Sequence, residues 1–368
     1  MHYHILAEGF VTQRPETGAT AVAACSRCAV TNDGDLICTY AVQETLGRND
    51  FKQMLSRSTD GGLTWEEQGF LWPHLHDHLS LIGSISRALD GELFIYGIRI
   101  PIDTPEESFW SEATQGMKQN SVFWASSTDG GHTWTDPQPI PLPYPGSAEA
   151  PGALLITRSG TWLCCYAPYN TFDPAVVVDQ NRVVYLRSED RGKTWTAGSM
   201  MRFKEADSSA AEAWVMELTD GRIVGSCWHI SNQEGTDYPN AYAISRDGGN
   251  TWSATGSTDT LGQSTGLGAL PDGRALFIYN QRRHGEPGVR LAVAEPDENG
   301  FNSVYDDLIW RAGAGTQGAT SGEHTEWTDF SFGEPSVIVL PDGNLFVTFW
   351  AIQPTGRGIR YVKARLVP

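Results

Sequence analysis

Two glutamates stand at matching places in the chain. Glu212 and Glu334 each lie eight residues before an Asp-Gly pair, at Asp220 (220 − 212) and Asp342 (342 − 334). Glu149 begins a similar segment whose hairpin is two residues longer. Carboxyl groups that converge raise one another's pKa, so that one serves as an acid and another as a base or nucleophile. Glycoside hydrolysis requires such a pair, and we expect Glu212 to act with Glu149 or Glu334.

Other side chains are candidates for substrate binding. Arg282 and Arg283, with Arg290 nearby, form a basic cluster on an acidic chain. Guanidinium groups bind carboxylates with two parallel hydrogen bonds, so the cluster indicates an acidic sugar or a counter-charge for Glu212 and Glu334. Further candidates stand at the predicted ends of second strands: Arg99, Tyr169, His229, Arg282 and Trp350.

Two connecting segments add to this inventory. Histidines alternate in the stretch His74–His78. They either ligate a metal, or His78 or Asp77 transfers a proton. We predict no metal, because no carboxylate partner with a clear ligand spacing accompanies the stretch. The segment Pro101–Asn120 is long enough to form a lid or wall, and its Phe109 and Trp110 either stack on a sugar ring or pack on a neighbouring unit.

An internal repeat shows which elements position these residues. The octet Ser-x-Asp-x-Gly-x-Thr-Trp occurs four times, with its aspartates 69, 61 and 57 residues apart (129 − 60, 190 − 129, 247 − 190). Its Asp caps the N–H groups of a tight turn and its Gly supplies positive φ, so we interpret these aspartates as structural. The four aspartates are Asp60, Asp129, Asp190 and Asp247.

A second hairpin precedes each octet. Six such turns, flanked by apolar runs, divide 368 residues into units of about 61 residues. Two hairpins give four strands per unit. The edges of six four-stranded sheets must be protected, so we predict an all-β, six-bladed β-propeller in one domain. Only one further strand follows the last hairpin, so the N-terminal strand 3–11 is expected to complete the last blade. The predicted blades lie near 20–70, 78–140, 147–202, 208–258, 262–310 and 330–368.

The octet resembles the Asp-box of the sialidase (neuraminidase) superfamily. That resemblance implies that the octets face away from the active site, and that an active site contains three arginines, a Tyr nucleophile with its activating Glu, and an Asp general acid. Glu212 matches the activating Glu, Asp50 in Arg48-Asn49-Asp50 is a candidate acid, and Arg290 is the candidate third arginine. Positions that depart from the pattern are Glu334 in place of the Tyr, and Ala24, Cys25 and Trp228 in place of arginines.

Composition excludes several classes of function. The formal net charge is −18 and there is no Lys/Arg block, so we expect neither nucleic acid nor an anionic membrane as partner. No segment reaches the roughly 18 apolar residues of a membrane span, and the first residues lack the layout of a secretory signal. The six cysteines lie mostly in apolar runs, which predicts reduced core thiols in a cytoplasmic protein.

These features together predict a glycoside hydrolase that needs no cofactor and cuts terminal, possibly acidic, sugars from a glycan or small glycoside. Two alternatives stay open: a uronate-directed polysaccharide lyase, and a propeller that binds carbohydrate without catalysis. Product analysis separates the three, since hydrolysis yields a reducing sugar and elimination yields an unsaturated product that absorbs ultraviolet light.

Overall fold

The computed structural model describes residues 1–232, 237–313 and 331–368. These residues form six antiparallel sheets arranged as a six-bladed β-propeller, which confirms the predicted fold. In blades one, two, four and five the strands pair in chain order, and the innermost strands of neighbouring blades contact one another around the central channel.

The strand boundaries follow the hairpin turns of the sequence. Blade one contains β2 (Val22–Val30), β3 (Leu36–Gln43), β4 (Lys52–Ser58) and β5 (Glu66–Phe70). Blade two contains β6 (Leu79–Arg87), β7 (Leu93–Pro101), β10 (Ser121–Ser127) and β11 (Gln138–Ile140), with the small hairpin β8 (Trp110–Ser111) and β9 (Gly116–Met117) inserted after β7. Blade three contains β12 (Ser147–Glu149), β13 (Leu155–Ile156), β14 (Trp162–Tyr169), β15 (Arg182–Ser188) and β16 (Thr196–Arg202).

The second half of the ring repeats this plan. Blade four contains β17 (Ser208–Glu217), β18 (Ile223–Ser231), β19 (Ala241–Ser245) and β20 (Gly256–Ser257). Blade five contains β21 (Gln263–Ala269), β22 (Ala275–Gln281), β23 (Gly288–Ala294) and β24 (Ser303–Arg311). Blade six contains β25 (Phe332–Val339), β26 (Leu345–Gln353), β27 (Gly356–Val367) and β1 (His2–Gln13).

The ring is closed by the N-terminal strand, as predicted. Strand β1 pairs antiparallel with β27, from His2 opposite Val367 to Gln13 opposite Gly358. An unpaired β27 would expose a row of backbone donors and acceptors, and β1 satisfies them within the same chain. The closure fixes blade six between blades one and five.

Apolar side chains fill the spaces between neighbouring blades. Phe94 of blade two meets Trp162 of blade three edge to face, with ring centroids 4.9 Å apart. Both rings are at least 97% buried, and burying such a side chain contributes roughly 1.5–3 kcal/mol. The six cysteines are buried and form no disulfide. In the described part of the chain, no helix has the length and apolar content needed to cross a membrane.

The four octets form nearly identical turns between the third and fourth strands of their blades. In the second, Asp129 accepts hydrogen bonds from the Ser127 hydroxyl (2.8 Å), the Thr133 N–H (2.9 Å) and the Thr133 hydroxyl (2.6 Å). These bonds, the Thr133 hydroxyl above all, hold the pKa of Asp129 well below its usual range. The first strand of each blade begins on the face where the channel opens. The third strand ends on the opposite face, so the octets that follow it lie away from the channel opening.

Replacing Asp129 by alanine should destabilise the fold by about 1–2 kcal/mol at neutral pH, because several turn donors lose their acceptor. A carboxylate with a depressed folded pKa stabilises above its unfolded pKa, so the difference should shrink as the pH falls below about 4. Urea unfolding at several pH values measures this effect. The matched control is Asp33→Ala, an exposed hairpin aspartate, where we expect a change within about 0.5 kcal/mol. Equal effects of the two variants would contradict the structural role of the octets.

Candidate active site

Four of the six innermost strands share one unusual backbone feature. Cys25, Glu212, Ser264 and Glu334 have φ of 57°, 52°, 58° and 48°, in the left-handed region that non-glycine residues rarely adopt. Each lies at a bulge where the pairing with the second strand of its blade shifts register. Such conformations cost of order 1–3 kcal/mol and concentrate at functional sites. This repeated bulge places equivalent residues of blades one, four, five and six at one level of the channel.

Glu334 is held between blades six and one. Its carboxylate oxygen Oε2 accepts a hydrogen bond of 2.6 Å from the backbone N–H of Cys25. The guanidinium Nη1 of Arg27 donates to the backbone carbonyl of Glu334 at 3.0 Å. Burial, followed by the negative charge of Glu334, raises the pKa of the Cys25 thiol. Glu334 therefore has a direct N–H donor on its carboxylate and a guanidinium beside its own backbone.

Glu149 and Glu212 are joined across blades three and four. The backbone N–H of Glu212 donates to Oε2 of Glu149 at 3.0 Å, and the Thr265 hydroxyl donates to the Glu212 carbonyl at 3.1 Å. Glu149 ends the short strand β12, where the innermost strand of blade three is interrupted before β13. The interruption leaves the Glu149 side chain at the same level of the channel as the bulge residues.

The three carboxyl groups interact electrostatically in one buried site. Burial, and then the nearby charge of Glu334, raises the pKa of Glu212 to about 8, while Arg27 and Arg282 oppose the rise. Burial raises the pKa of Glu149 as well, and the charges of Glu212 and Glu334 add to the effect. A carboxyl group with a pKa near 8 keeps its proton at neutral pH and can donate it. The site therefore contains, in Glu212, a carboxyl group that keeps its proton at neutral pH.

Two arginines supply the positive charge of the site. Arg27 is 2% exposed, and its guanidinium lies 4.7 Å from the centroid of the Trp214 ring across the channel. Arg282 donates from Nη2 to the Phe332 carbonyl at 2.6 Å, and burial lowers its pKa to about 10. Sequence reasoning found Arg282 but missed Arg27. The available signal was a single arginine inside the otherwise apolar strand β2.

Tyr169 and Trp350 lie close to the glutamates. Burial, followed by the charges of Glu149 and Glu212, raises the pKa of Tyr169, which places its hydroxyl near that pair. A Cβ atom added to Gly333 would lie 2.5 Å from Nε1 of Trp350, so the backbone next to Glu334 rests directly against the indole. Both residues therefore belong to the wall of the site.

The structure does not bring all of the predicted binding residues to the glutamates. Arg290 lies on the third strand of blade five, where its Nε contacts Asp306 at 2.9 Å and the Tyr279 hydroxyl at 3.0 Å. Arg283 pairs with Asp237 at 3.2 Å. Nearness in sequence suggested a three-arginine cluster, but Arg290 lies on the next strand, opposite Tyr279, and pairs with Asp306.

His229 and Arg99 also have protein partners at the ends of second strands. His229 is sandwiched between the rings of Phe203, at 4.1 Å, and Tyr238, at 4.6 Å, and burial lowers its pKa. Arg99 donates from Nε to the Ser121 hydroxyl at 2.8 Å. In the part of the chain that the structure describes, neither side chain forms a hydrogen bond or ion pair with Glu149, Glu212 or Glu334.

Asp50 lies in the loop between β3 and β4. Its Oδ2 accepts a hydrogen bond from the Glu44 N–H at 3.2 Å and lies 3.9 Å from Nε of Arg48. Burial raises the pKa of Asp50, which suits a proton donor, although this loop also contacts the inserted segment through Asn49 and Glu107 (2.6 Å). The general-acid assignment of Asp50 stays a prediction.

The histidine stretch has its own local partners. His74 contacts Asp136 at 3.2 Å, Nε2 of His76 contacts the Leu71 carbonyl at 2.9 Å, and His78 is exposed. Across residues 1–232, 237–313 and 331–368, no three His, Cys, Asp or Glu side chains are grouped so that they could hold a metal.

The inserted segment Pro101–Asn120 forms a fixed wall over the channel face. Phe109 is 2% exposed and packs against Phe51 with centroids 5.5 Å apart, so it belongs to the core. Lys118 donates to Glu107 at 2.6 Å and ties the two ends of the segment together. Trp110 is half-buried, with its ring 6.0 Å from that of Tyr169, and this pair extends the wall beside Glu149 and Glu212.

The fold and the site define the class. The six sheets, with repeated Asp-box turns on one face, have the propeller fold of sialidase-like structures. Residues 107–347 match the family of the BNR repeat-like domain. The match covers more than half of the chain, and the chain therefore belongs to this family.

Individual relatives are distant. A sialidase of Bacteroides fragilis (strain YCH46) is 26% identical to this chain over an alignment of 252 residues. The match covers 60% of this chain and 41% of the relative. The chain thus spans less than half the length of that curated relative. A protein of unknown function from Dyadobacter fermentans superposes with a TM-score of 0.77 at 19% identity and 99% coverage of both chains.

A third comparison concerns an α-L-arabinofuranosidase of Fusarium graminearum, solved with arabinobiose. It superposes with a TM-score of 0.65 at 15% identity, covering 99% of this chain and 98% of that one. At such identities the two structural likenesses establish the fold alone.

Glu212 should make the stability of the protein depend on pH. Its folded pKa of about 8 lies above the ordinary value near 4.3. The contribution of Glu212 to the free energy of unfolding is therefore fully present below about pH 4.3. The contribution is lost as the pH rises towards 8, by up to about 1.4 kcal/mol per pH unit. Glu212→Gln should therefore raise the melting temperature more at pH 8 than at pH 5. A variant with the same pH dependence as the wild type would show that Glu212 is ionised when folded.

Arg27 should hold down the pKa values of the glutamates. Arg27→Met should raise the pKa of Glu212 above about 8, because the opposing positive charge is removed, and Arg27→Lys should restore it in part. Carboxyl ¹³C chemical shifts, followed by NMR as a function of pH, measure this directly. Arg290→Met removes an arginine paired elsewhere and should leave the Glu212 titration unchanged. A shift with Arg290→Met as large as that with Arg27→Met would contradict a local effect.

Proposed function

We propose that this protein is a glycoside hydrolase that removes terminal residues from a glycan or a small glycoside, with Glu212 as the acid and Glu334 as the second carboxyl group. The observation that carries the proposal is the convergence in one channel of buried Glu212 and half-buried Glu149 and Glu334, with the pKa of Glu212 raised to about 8. The glycan-related names of the relatives, a sialidase and an α-L-arabinofuranosidase with arabinobiose, support a carbohydrate substrate.

The two carboxyl groups have opposite environments, as the reaction requires. Glu212 retains its proton at neutral pH and gives it to the glycosidic oxygen as the bond to the anomeric carbon breaks. Glu334 accepts the Cys25 N–H through its carboxylate, and Arg27 donates to its backbone carbonyl. Its carboxylate attacks the anomeric carbon or takes a proton from the attacking water, and the departing sugar leaves with the proton of Glu212.

Glu149 is proposed as the residue that orients Glu212. Its Oε2 accepts the Glu212 N–H, so it fixes the strained backbone on which the acid is mounted. Glu149 therefore acts on the reaction through Glu212.

A neutral sugar fits the site better than an acidic one. Arg290 is paired with Asp306 and Arg283 with Asp237, so these guanidinium groups are engaged by the protein's own carboxylates. Arg27 and Arg282 are both buried and donate to the backbone carbonyls of Glu334 and Phe332. The lyase alternative needs arginines around a uronate carboxylate and a ready base, whereas Tyr169 has a raised pKa, which makes it a poor base. Hydrolysis of a neutral glycoside is thus the better supported reaction.

Glutamine substitutions test the assignment. Glu212→Gln and Glu334→Gln should each lower kcat/KM by about 10²–10⁴-fold on the best substrate of an aryl glycoside panel, since each removes one carboxyl group of the pair. Glu149→Gln should shift the pH profile while keeping most of the rate. The control is Glu217→Gln, on the same strand as Glu212, whose carboxylate accepts the Arg158 N–H at 2.9 Å.

Product analysis separates the competing functions. Release of reducing sugar supports hydrolysis, an unsaturated product that absorbs ultraviolet light identifies a lyase, and binding without product identifies a non-catalytic propeller. Full activity of Glu212→Gln would remove this residue from the mechanism. Inactivity of Glu149→Gln together with an active Glu334→Gln would transfer the second role to Glu149. Cleavage of a sialoside in preference to neutral glycosides would contradict the neutral substrate.

A further inference from the structure

A groove lies on the channel face between blades two and three, apart from the three glutamates. It has a volume of about 370 Å³ and is lined by residues 119–121, 139–142 and 144–146. Ligand sites for small molecules start at about this size. We call it the rim groove, because its walls are the start of β10 and the connection from β11 into blade three.

One wall of the rim groove is rigid. Proline occupies every second position from Pro137 to Pro145, which fixes φ at five of these nine residues and removes their N–H groups. Tyr144 lies in this segment, and the guanidinium of Arg182 is stacked 3.7 Å from its ring centroid. Arg182 is 7% exposed, so it holds the tyrosine ring in place. A wall that is already ordered costs little conformational entropy when a ligand binds.

The lining has the chemistry of a neutral carbohydrate site. Proline rings, Leu142 and Tyr144 provide apolar surface, while the Gln119 amide and the Ser121 hydroxyl provide polar groups. Gln119 is oriented by its own hydrogen bond from Nε2 to the Gly146 carbonyl, at 2.9 Å. None of the described residues that line the groove carries a charge. Apolar surface with a few fixed polar groups suits sugar rings, whose faces are apolar and whose edges carry hydroxyls.

The rim groove is connected to the glutamate site by hydrogen bonds. The side chain of Asn120, in the groove lining, accepts the Ala148 N–H at 2.8 Å and donates to the Ala148 carbonyl at 2.9 Å. Ala148 immediately precedes Glu149. From Gly146 at the groove to Glu149 the extended strand covers roughly 10 Å, at about 3.3 Å per residue. One chain of a few sugar units can therefore reach both places.

We propose that the rim groove is a second carbohydrate-binding site, which holds neutral sugar units of an extended substrate away from the bond that is cut, with Tyr144 as its platform. This assignment rests on the proposed function, since it takes the glutamate site as the place of cleavage. It makes the protein selective for oligosaccharides over single glycosides without any change in the catalytic residues.

Binding measurements test the rim groove without requiring turnover. Calorimetric titrations of the Glu212→Gln protein use neutral arabino-, xylo- and cello-oligosaccharides from disaccharide to hexasaccharide. For the series that binds, affinity should rise with chain length. Adding Tyr144→Ala should abolish the gain in affinity with chain length. The affinity for the longest oligosaccharide should fall about tenfold, while the affinity for the disaccharide stays unchanged. Tyr144→Phe keeps the ring and should keep the gain.

The control is Tyr305→Ala, which removes a half-buried tyrosine from the outer strand of blade five and should leave the length dependence unchanged. A Tyr144→Ala protein that melts at the wild-type temperature yet keeps the full gain on lengthening would overturn the proposal, as would an affinity that stops rising at the disaccharide. If the wild type cleaves no glycoside but the Tyr144-dependent gain is present, the proposed function fails and the groove stands. If the wild type cleaves glycosides but shows no Tyr144-dependent gain in affinity, the rim groove proposal fails and the proposed function stands.

Discussion

The site depends on the pairing of the two ends of the ring. Strand β1 pairs with β27 along its whole length, and this pairing fixes blade six against blade one. Only in that arrangement does the N–H of Cys25, from the first blade, meet the carboxylate of Glu334, from the last. A propeller whose ends did not meet would leave the half-buried carboxylate of Glu334 without its N–H donor, which is costly. Closure of the ring and the hydrogen bond to Glu334 are thus one constraint.

Strain and charge are concentrated at the same level of the channel. Four left-handed residues and three carboxyl groups are each unfavourable alone, and two arginines offset part of the charge. The opposite face of the protein carries the Asp-box turns, whose aspartates are held by hydrogen bonds within the turn. This separation lets the turns and the interblade core stabilise the ring, while the strained and like-charged groups are confined to the channel.

The fold and part of the site could be predicted because they are encoded locally. An octet that forms its own turn repeats in the chain, and two glutamates recur at a fixed distance from a hairpin, so Glu212 and Glu334 are recognisable by position alone. Arg27 was missed because its role depends on a contact across the channel with Trp214, from the blade opposite. Arg290 was grouped with Arg282 by nearness in sequence, but it lies one strand further out and pairs with Asp306. Contacts between blades are what the sequence pattern does not contain.

The departures from the sialidase pattern are physically linked. In the pattern that the octets imply, a Tyr nucleophile works together with arginines that bind the carboxylate of the sugar. A neutral nucleophile suits that substrate, because a glutamate would be repelled by the sugar's own negative charge in a buried site. Here Glu334 stands at the Tyr position, and Ala24, Cys25 and Trp228 stand where arginines are expected. With a neutral sugar, as proposed, this repulsion is absent and no arginines are needed to bind a sugar carboxylate. A glutamate can then act as the second catalytic group beside Glu212. The charge of the substrate and the type of the second catalytic group therefore change together.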